Sequence, residues 1–191
     1  GFPVAKVQVT TLQALSGGGQ ATISSLEMQD NVIPFINGEE EKTEKEPLKI
    51  LGRITESGIQ NIDRIEISVI CTRVPVIDGH TAVVHVTFKE NIPTLDQIKS
   101  IWTDFKGIPQ DQNFPMAPKQ PIIYFEEENR PQPKLDRNLE KGMAVSVGRL
   151  AEDKFFDIRY VALSHNTVRG AAGGAILMAE LLVKKGYIKR I

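Results

Sequence analysis

Two runs of β-branched residues on either side of a turn dipeptide set the first limit on what this chain can fold into. Arg64-Ile65-Glu66-Ile67-Ser68-Val69-Ile70-Cys71 and Thr81-Ala82-Val83-Val84-His85-Val86-Thr87-Phe88 both read as strands, with Asp78-Gly79 between them as a turn signal. Together they predict a β-hairpin and hence an antiparallel pair. Val4-Ala5-Lys6-Val7-Gln8-Val9-Thr10 alternates like a half-buried strand, and further strands are predicted over 122–125, 144–147 and 155–161.

Helical stretches fall between these strands. One is expected over about 21–28, after Ser16-Gly17-Gly18-Gly19. Glu39-Glu40-Glu41-Lys42 opens a second, running to about Leu51, with its acidic residues near the positive end of the helix dipole and Pro47 placed to kink or split it. Thr94-Leu95-Asp96-Gln97 has the spacing of a capping box and opens a third, through Ile98, Ile101, Trp102 and Phe105. A last helix runs over about 168–185 and stops at Gly186. Residues 31–37 and the Pro- and Gln-rich stretch 107–121 are expected to be irregular. With no repeats and no regular βαβ alternation, the elements describe an α+β domain with a mainly antiparallel sheet.

Composition narrows the function classes. A chain of 191 residues, 41% apolar, can bury one core and reads as a single domain. Its 23 basic and 24 acidic residues leave a net charge of −1, against the basic stripe of a nucleic-acid protein. No apolar run approaches the ~20 residues that span a membrane, and the first residues lack the basic and apolar regions of a signal peptide. Cys71, the one cysteine, excludes an intramolecular disulfide and fits a reducing cytoplasm. The three histidines and Cys71 lack metal-ligand spacing, so no metal site is expected.

Few residues stand out as carriers of chemistry. Cys71 lies in an apolar strand, with no helix N-terminus or neighbouring cation in sequence to favour a thiolate, and reads as a buried structural thiol. Arg73 and His80 flank the hairpin tip and converge if the turn closes tightly. An arginine fork suits a carboxylate and a histidine moves protons near neutral pH, while a solvated arginine and a turn histidine fit the same residues. His85, an odd number of positions from His80, should face the other way. The glycines after Ser16 allow backbone amides to approach an anion, or simply make a strand-to-helix turn. Glu46 and Lys49, three apart on a predicted helix, share one face. Asn166 or Thr167, after His165, is placed to cap the last helix.

These pieces, taken in order, resemble the aspartate-semialdehyde dehydrogenase family. The segment Thr11-Leu12-Gln13-Ala14-Leu15-Ser16-Gly17-Gly18-Gly19 is similar to the family's stretch just after its nucleophile region. Asn31-Val32-Ile33-Pro34-Phe35-Ile36, Glu39-Glu40-Glu41-Lys42 and Glu46-Pro47-Leu48-Lys49-Ile50-Leu51 continue the resemblance. Cys71-Thr72-Arg73-Val74-Pro75-Val76 with Gly79-His80-Thr81 matches its Arg and His motif. Arg130-Pro131-Gln132-Pro133, Asp136-Arg137, Gly142-Met143, Val147-Gly148-Arg149 and His165-Asn166-Thr167-Val168-Arg169-Gly170-Ala171-Ala172-Gly173 complete it. The match runs nearly end to end and is nearest to the archaeal and fungal branch.

The resemblance implies a C-terminal catalytic and dimerisation domain of the glyceraldehyde-3-phosphate dehydrogenase-like type, with helices on one face of a mixed sheet. It implies NADP as cofactor, a homodimer or tetramer, and reduction of aspartyl-4-phosphate to aspartate-4-semialdehyde through a cysteine thioacyl intermediate. His80 would then be the general acid/base, Arg73 the clamp on the substrate carboxylate, and Gln13 the residue that orients the intermediate. Glu46 would hold the substrate amino group and Lys49 the phosphate, while Ser16, Gly17 and Asn166 would touch the cofactor. The family's Asn-Cys nucleophile motif and Gly-rich dinucleotide-binding start are absent from these residues. The chain alone is therefore expected to be inactive. Its last helix should show an apolar face (Ala171, Ile176, Leu177, Ala179, Leu182) that the missing half would cover. Two rival readings remain: a malonyl-CoA reductase of the same fold, for which Glu46 would have no amino group to bind, and a dimerisation module without catalysis.

Overall fold

A computed structural model describes residues 2–18 and 28–189 of the chain. Strand β1 (Val4–Gln13) alternates as its sequence predicts and runs three residues further, to Gln13. It is followed by α1 (Glu39–Ile50), the short pair β2 (Arg53–Thr55) and β3 (Gly58–Gln60), then β4 (Glu66–Arg73) and β5 (His80–Phe88). Next come α2 (Leu95–Asp104), α3 (Ile108–Asp111), β6 (Ile122–Phe125) and α4 (Pro133–Asp136). The chain closes with β7 (Val145–Glu152), β8 (Ile158–Ser164), a π-helical turn (Val168–Ala172) and α5 (Gly173–Lys184). The helix expected over 21–28 lies, apart from Met28, outside the described residues.

Six strands form one mixed sheet in the order β4-β1-β5-β8-β7-β6. Three of its pairs are antiparallel, and β1 with β4 and β6 with β7 are parallel. This is the α+β, mainly antiparallel sheet expected from the sequence. The hairpin is not: β4 and β5 do not pair, because β1 lies between them. Residues 74–79 instead cross the end of β1, where Val74 N–H donates to Gln13 O (3.0 Å), Leu15 N–H to Val76 O (2.8 Å) and Ser16 N–H to Ile77 O (3.1 Å). A turn dipeptide reports that the chain reverses, not that its flanks meet. A ten-residue strand with its own alternating apolar positions offers both flanks a longer partner than they offer each other. The turn residue is still demanding. Gly79 has φ +116°, and an added Cβ would stand 3.0 Å from Pro133 Cβ and 3.2 Å from Leu163 Cδ1.

The core packs on one face of the sheet. Val84, Val86 and Ile158 are buried with Ile98 of α2, and Val7, Val9, Trp102 and Tyr160 close around them. The Trp102 and Tyr160 rings meet edge-on at 5.1 Å. The Thr94/Gln97 capping box fixes where α2 begins. Pro47 lies inside α1 without ending it. The strand expected over 155–161 begins later, at Ile158: Asp153 Oδ1 accepts from Phe155 N–H (2.9 Å) and Phe156 N–H (3.1 Å), holding 155–157 in a turn. Residues 107–121 are irregular apart from α3.

Opposite the core, Asp136 is 2% exposed and takes the Arg130 guanidinium and Gln132 N–H (2.6 Å). Burial pushes its carboxyl up, but those two donors outweigh burial and hold it below the usual carboxylate range. Along the last helix Ala171, Ile176 and Ala179 are exposed, and Leu177 and Leu182 are half-buried. Gly186 follows at φ +78°, the left-handed stop its position predicts. No helix among the described residues is long and apolar enough to cross a membrane.

Candidate functional site

Strand register brings the chemistry together. Gln13 is the partner of Arg73 across the parallel pair β1–β4. On the other side Leu12 pairs with Thr81, so the next step of that antiparallel ladder sets Gln13 opposite His80. His80 in turn pairs with Ser164 of β8. Side chains alternate along a strand, so Arg73 shares its face with Val69, Gln13 with Val9, and His80 with Val84: all three lie on the core face, at one end of the sheet. Adjacent strands lie about 4.8 Å apart, which puts Arg73 and His80 about 10 Å apart at Cα with Gln13 between them. The expected convergence of Arg73 and His80 therefore takes place across β1, not across a hairpin tip.

A cleft of about 380 Å³ opens beside this row, lined by Gln13, Arg73, Gly17, Gly18, Glu39 and the apolar Ile33, Phe35 and Ile36. Arg73 is buried, at 7% exposure, and its Nη1 donates to Ala14 O at 2.7 Å. Its other guanidinium donors take no protein acceptor among the described residues, which leaves a fork open to the cleft. Gln13 Nε2 donates to Glu39 Oε2 at 3.3 Å and to Thr11 Oγ1 at 3.4 Å. Glu39 also pairs with Lys42, one turn on, at 3.6 Å. A larger hollow of about 520 Å³ lies along 106–119, walled largely by Pro109, Phe114, Pro115 and Pro118. It has no arginine among its lining residues, whereas the smaller cleft holds Arg73 and Gln13 and is the candidate site.

Electrostatics mark His80 out. Burial, its largest influence, lowers its pKa below 6.5; Glu39 pulls it back up, and Arg73 pushes it further down. An imidazole balanced in this way is neutral at physiological pH and can accept a proton. His85 lies at the far end of β5 from the cleft, 3.9 Å from Asp153. Cys71 is fully buried, and its backbone N–H donates to Glu40 Oε1 at 3.1 Å.

Ser16, Gly17 and Asn166 close the other side. Asn166 Nδ2 donates to Ser16 Oγ at 2.8 Å, and Asn166 Oδ1 accepts from Gly79 N–H at 2.9 Å. An added Cβ on Gly17 would stand 3.3 Å from Arg73 Nη1 and 3.6 Å from Asn166 Nδ2, so a side chain here would press on both groups. Asn166 does not cap the last helix, which starts through the π-turn with no side-chain cap.

Glu46 and Lys49 do not join this group. Both are exposed and line a separate hollow with Ile50, Gly52, Ile54 and Ile59. They lie seven residues, about 10 Å of helix rise, beyond Glu39 and Lys42. The sequence holds the same Glu-x-x-Lys spacing twice on one stripe of α1, at 39/42 and at 46/49. The readable difference is that the first opens the helix, directly after the 31–38 loop whose Ile33 bridges to Arg73.

Comparison with known proteins matches this geometry to a family. Residues 2–169 fit the semialdehyde dehydrogenase dimerisation domain. The aspartate-semialdehyde dehydrogenase of Schizosaccharomyces pombe is 50% identical over 97% of this chain and 53% of its own length. That of Methanothermobacter thermautotrophicus is 45% identical over 95% of this chain and 52% of its own. Among solved structures, the Candida albicans aspartate semialdehyde dehydrogenase with NADP superposes with a TM-score of 0.88 at 39% identity, over 97% of this chain and 52% of that one. The chain thus spans about half the length of the curated relatives it matches. It belongs to the semialdehyde dehydrogenase family, as a dimerisation domain.

Proposed function

We propose that this domain supplies the acid–base and substrate-binding half of an NADP-dependent aspartate-semialdehyde dehydrogenase. The reaction is aspartyl-4-phosphate, NADPH and a proton to aspartate-4-semialdehyde, NADP and phosphate. The observation that carries the reading is the row Arg73–Gln13–His80 on one face at one sheet end, with Arg73, Gln13 and Glu39 lining an open cleft beside it. It agrees with the activity for which the matching relatives are named.

In this reading the buried Arg73 fork holds the substrate α-carboxylate, where a bidentate pair fixes position and charge together. The carboxylate of Glu39, more than that of Glu46, holds the α-amino group, and Lys42, more than Lys49, the phosphate, because Glu39 lines the cleft and Lys42 pairs with it. Gln13 orients the reacting carbonyl from between Arg73 and His80. His80 gives and takes the proton. The covalent step belongs to a cysteine in the other half of the protein, since Cys71 is buried in β4. NADPH, when bound, would supply the hydride; Ser16, Gly17 and Asn166 would touch the cofactor, and a side chain at position 17 would crowd Arg73 and Asn166 there. Residues 1–191 form a single catalytic and dimerisation domain, working as a cytoplasmic homodimer or dimer of dimers.

Steady-state NADP reduction by the full-length protein tests this, comparing aspartate semialdehyde plus phosphate with malonate semialdehyde plus CoA. Turnover with the first pair alone is expected. Turnover with only the second would reassign the substrate to a CoA thioester and leave Glu39 and Lys42 without their roles.

A further inference from the structure

We propose that Asn166 is a positioning residue for His80, acting through the peptide of Gly79; the inference rests on His80 being the acid–base group. Three chain segments end at the candidate site: the end of β1 with Ser16, the crossing segment that leads into β5, and the end of β8. The Asn166 side chain joins all three. Its Oδ1 accepts from the N–H of Gly79, the residue directly before His80, and its Nδ2 donates to Ser16 Oγ.

The carboxamide orientation follows from these partners. A backbone N–H can only donate, so oxygen must face Gly79 and nitrogen must face Ser16. Gly79 holds a φ of +116°, where the chain has no β-ladder to fix the plane of the preceding peptide. Asn166 Oδ1 supplies that missing acceptor, and Arg137 Nη1 holds the same peptide from its carbonyl side, at Asp78 O (3.1 Å). His80 starts β5 and pairs with Ser164, two residues before Asn166, so the strut closes the corner between β5 and β8 where the imidazole stands. One donor and one acceptor of Asn166 are thus engaged by the protein itself. Any contact it makes with cofactor uses the remaining N–H or lone pair. Linking these segments couples the cofactor-side loop to the placement of the proton-transfer group, for which misplacements of about 1 Å cost about 10²-fold in rate.

The test uses the full-length protein with Asn166→Ala, Asn166→Asp and Ser16→Ala. The readouts are hydrogen exchange at the Gly79 amide without substrate or cofactor, the pH profile of kcat/KM, and the NADP dissociation constant. Asn166→Ala is expected to raise Gly79 exchange about tenfold. At saturating NADP it should lower kcat about 10–100-fold and move the pH limb that reports His80, whatever NADP affinity it also loses. Asn166→Asp keeps an oxygen for Gly79 and one to which the Ser16 hydroxyl can donate, and should return exchange and kcat to within about threefold of wild type. Unchanged Gly79 exchange in Asn166→Ala overturns the proposal. So does a loss confined to NADP affinity with the pH limb unmoved. If Asn166→Ala does not fold, Ser16→Ala decides. Freeing the carboxamide at its nitrogen end should raise Gly79 exchange about threefold, and no change there overturns the strut. Absence of wild-type turnover with aspartate semialdehyde would bear on the proposed substrate alone, because the exchange measurement uses none.

Discussion

Gln13 Nε2 donates to Glu39 Oε2 at 3.3 Å, a contact between residues 26 apart in sequence that ties the end of the second strand from the sheet edge to the first turn of α1. It makes the start of that helix, not its middle, a wall of the cleft. It also sets a carboxylate beside His80, whose proton affinity that carboxylate raises.

The two Glu-x-x-Lys pairs of α1 should therefore separate in experiment. Glu39→Gln is expected to lower kcat/KM about 10²-fold or more, as loss of a charge-assisted contact would, while Glu46→Gln stays within about threefold. Glu39 raises the proton affinity of His80, so removing its charge should also move the acid limb of the kcat/KM profile to lower pH. Equal losses for the two variants, or a limb moving to higher pH, would reject this placement.

His80→Asn in the full-length protein should reduce turnover by about 10²–10⁴, the size of an acid–base contribution. Burial lowers the folded-state pKa of His80 below 6.5. Between the folded value and about 6.5 the unfolded chain binds more protons, so this residue's contribution to stability rises with pH across that window. His80→Asn should then lose less melting temperature than wild type on acidification from neutrality through that window. Parallel pH–Tm curves would remove the linkage.

Arg73→Leu should mainly raise the KM for the carboxylate substrate, lowering kcat/KM about 10²-fold or more, because it removes the open guanidinium fork. It also deprives Ala14 O of its donor, so a loss of about 1–3 kcal/mol in stability is expected alongside. Unchanged kcat/KM in a folded variant would end the carboxylate-clamp role.

Cys71→Ser should leave chemistry nearly intact and cost about 1–3 kcal/mol, since a hydroxyl replaces a thiol at a fully buried position. Complete inactivation of a protein that still melts cooperatively would refute the structural reading of this thiol.

Asp136→Ala should destabilise the domain by about 1–3 kcal/mol, read from denaturant midpoints, because it removes the buried acceptor of the Arg130 guanidinium and the Gln132 N–H. A change under about 1 kcal/mol would mean that water replaces the carboxylate at that position.

How much of this was legible depended on range. The α2 capping box, the alternation of β1, the left-handed stop at Gly186 and the buried thiol at Cys71 all follow from neighbours within a few residues, and the structure has each where the sequence puts it. Strands β2 and β3 were missed because three-residue runs carry too little periodicity to register. The start of β8 was placed early because Phe155 and Phe156 look strand-like, whereas the Asp153 carboxylate draws their amides into a turn.

The amino-acid sequence by itself determined the mixed α+β character, the balanced charge, and the residue types able to bind a carboxylate and move a proton. These are local or compositional properties, set by side-chain chemistry and by backbone preferences over a few residues. Only the tertiary structure decided that β1 separates β4 from β5, that Gln13 stands between Arg73 and His80, that Glu39 and not Glu46 reaches the cleft, and that Asn166 joins three segments. The reason is that strand pairing is a non-local choice: it is set by which partner buries more apolar surface and satisfies more backbone groups, and no window of neighbouring residues contains that comparison.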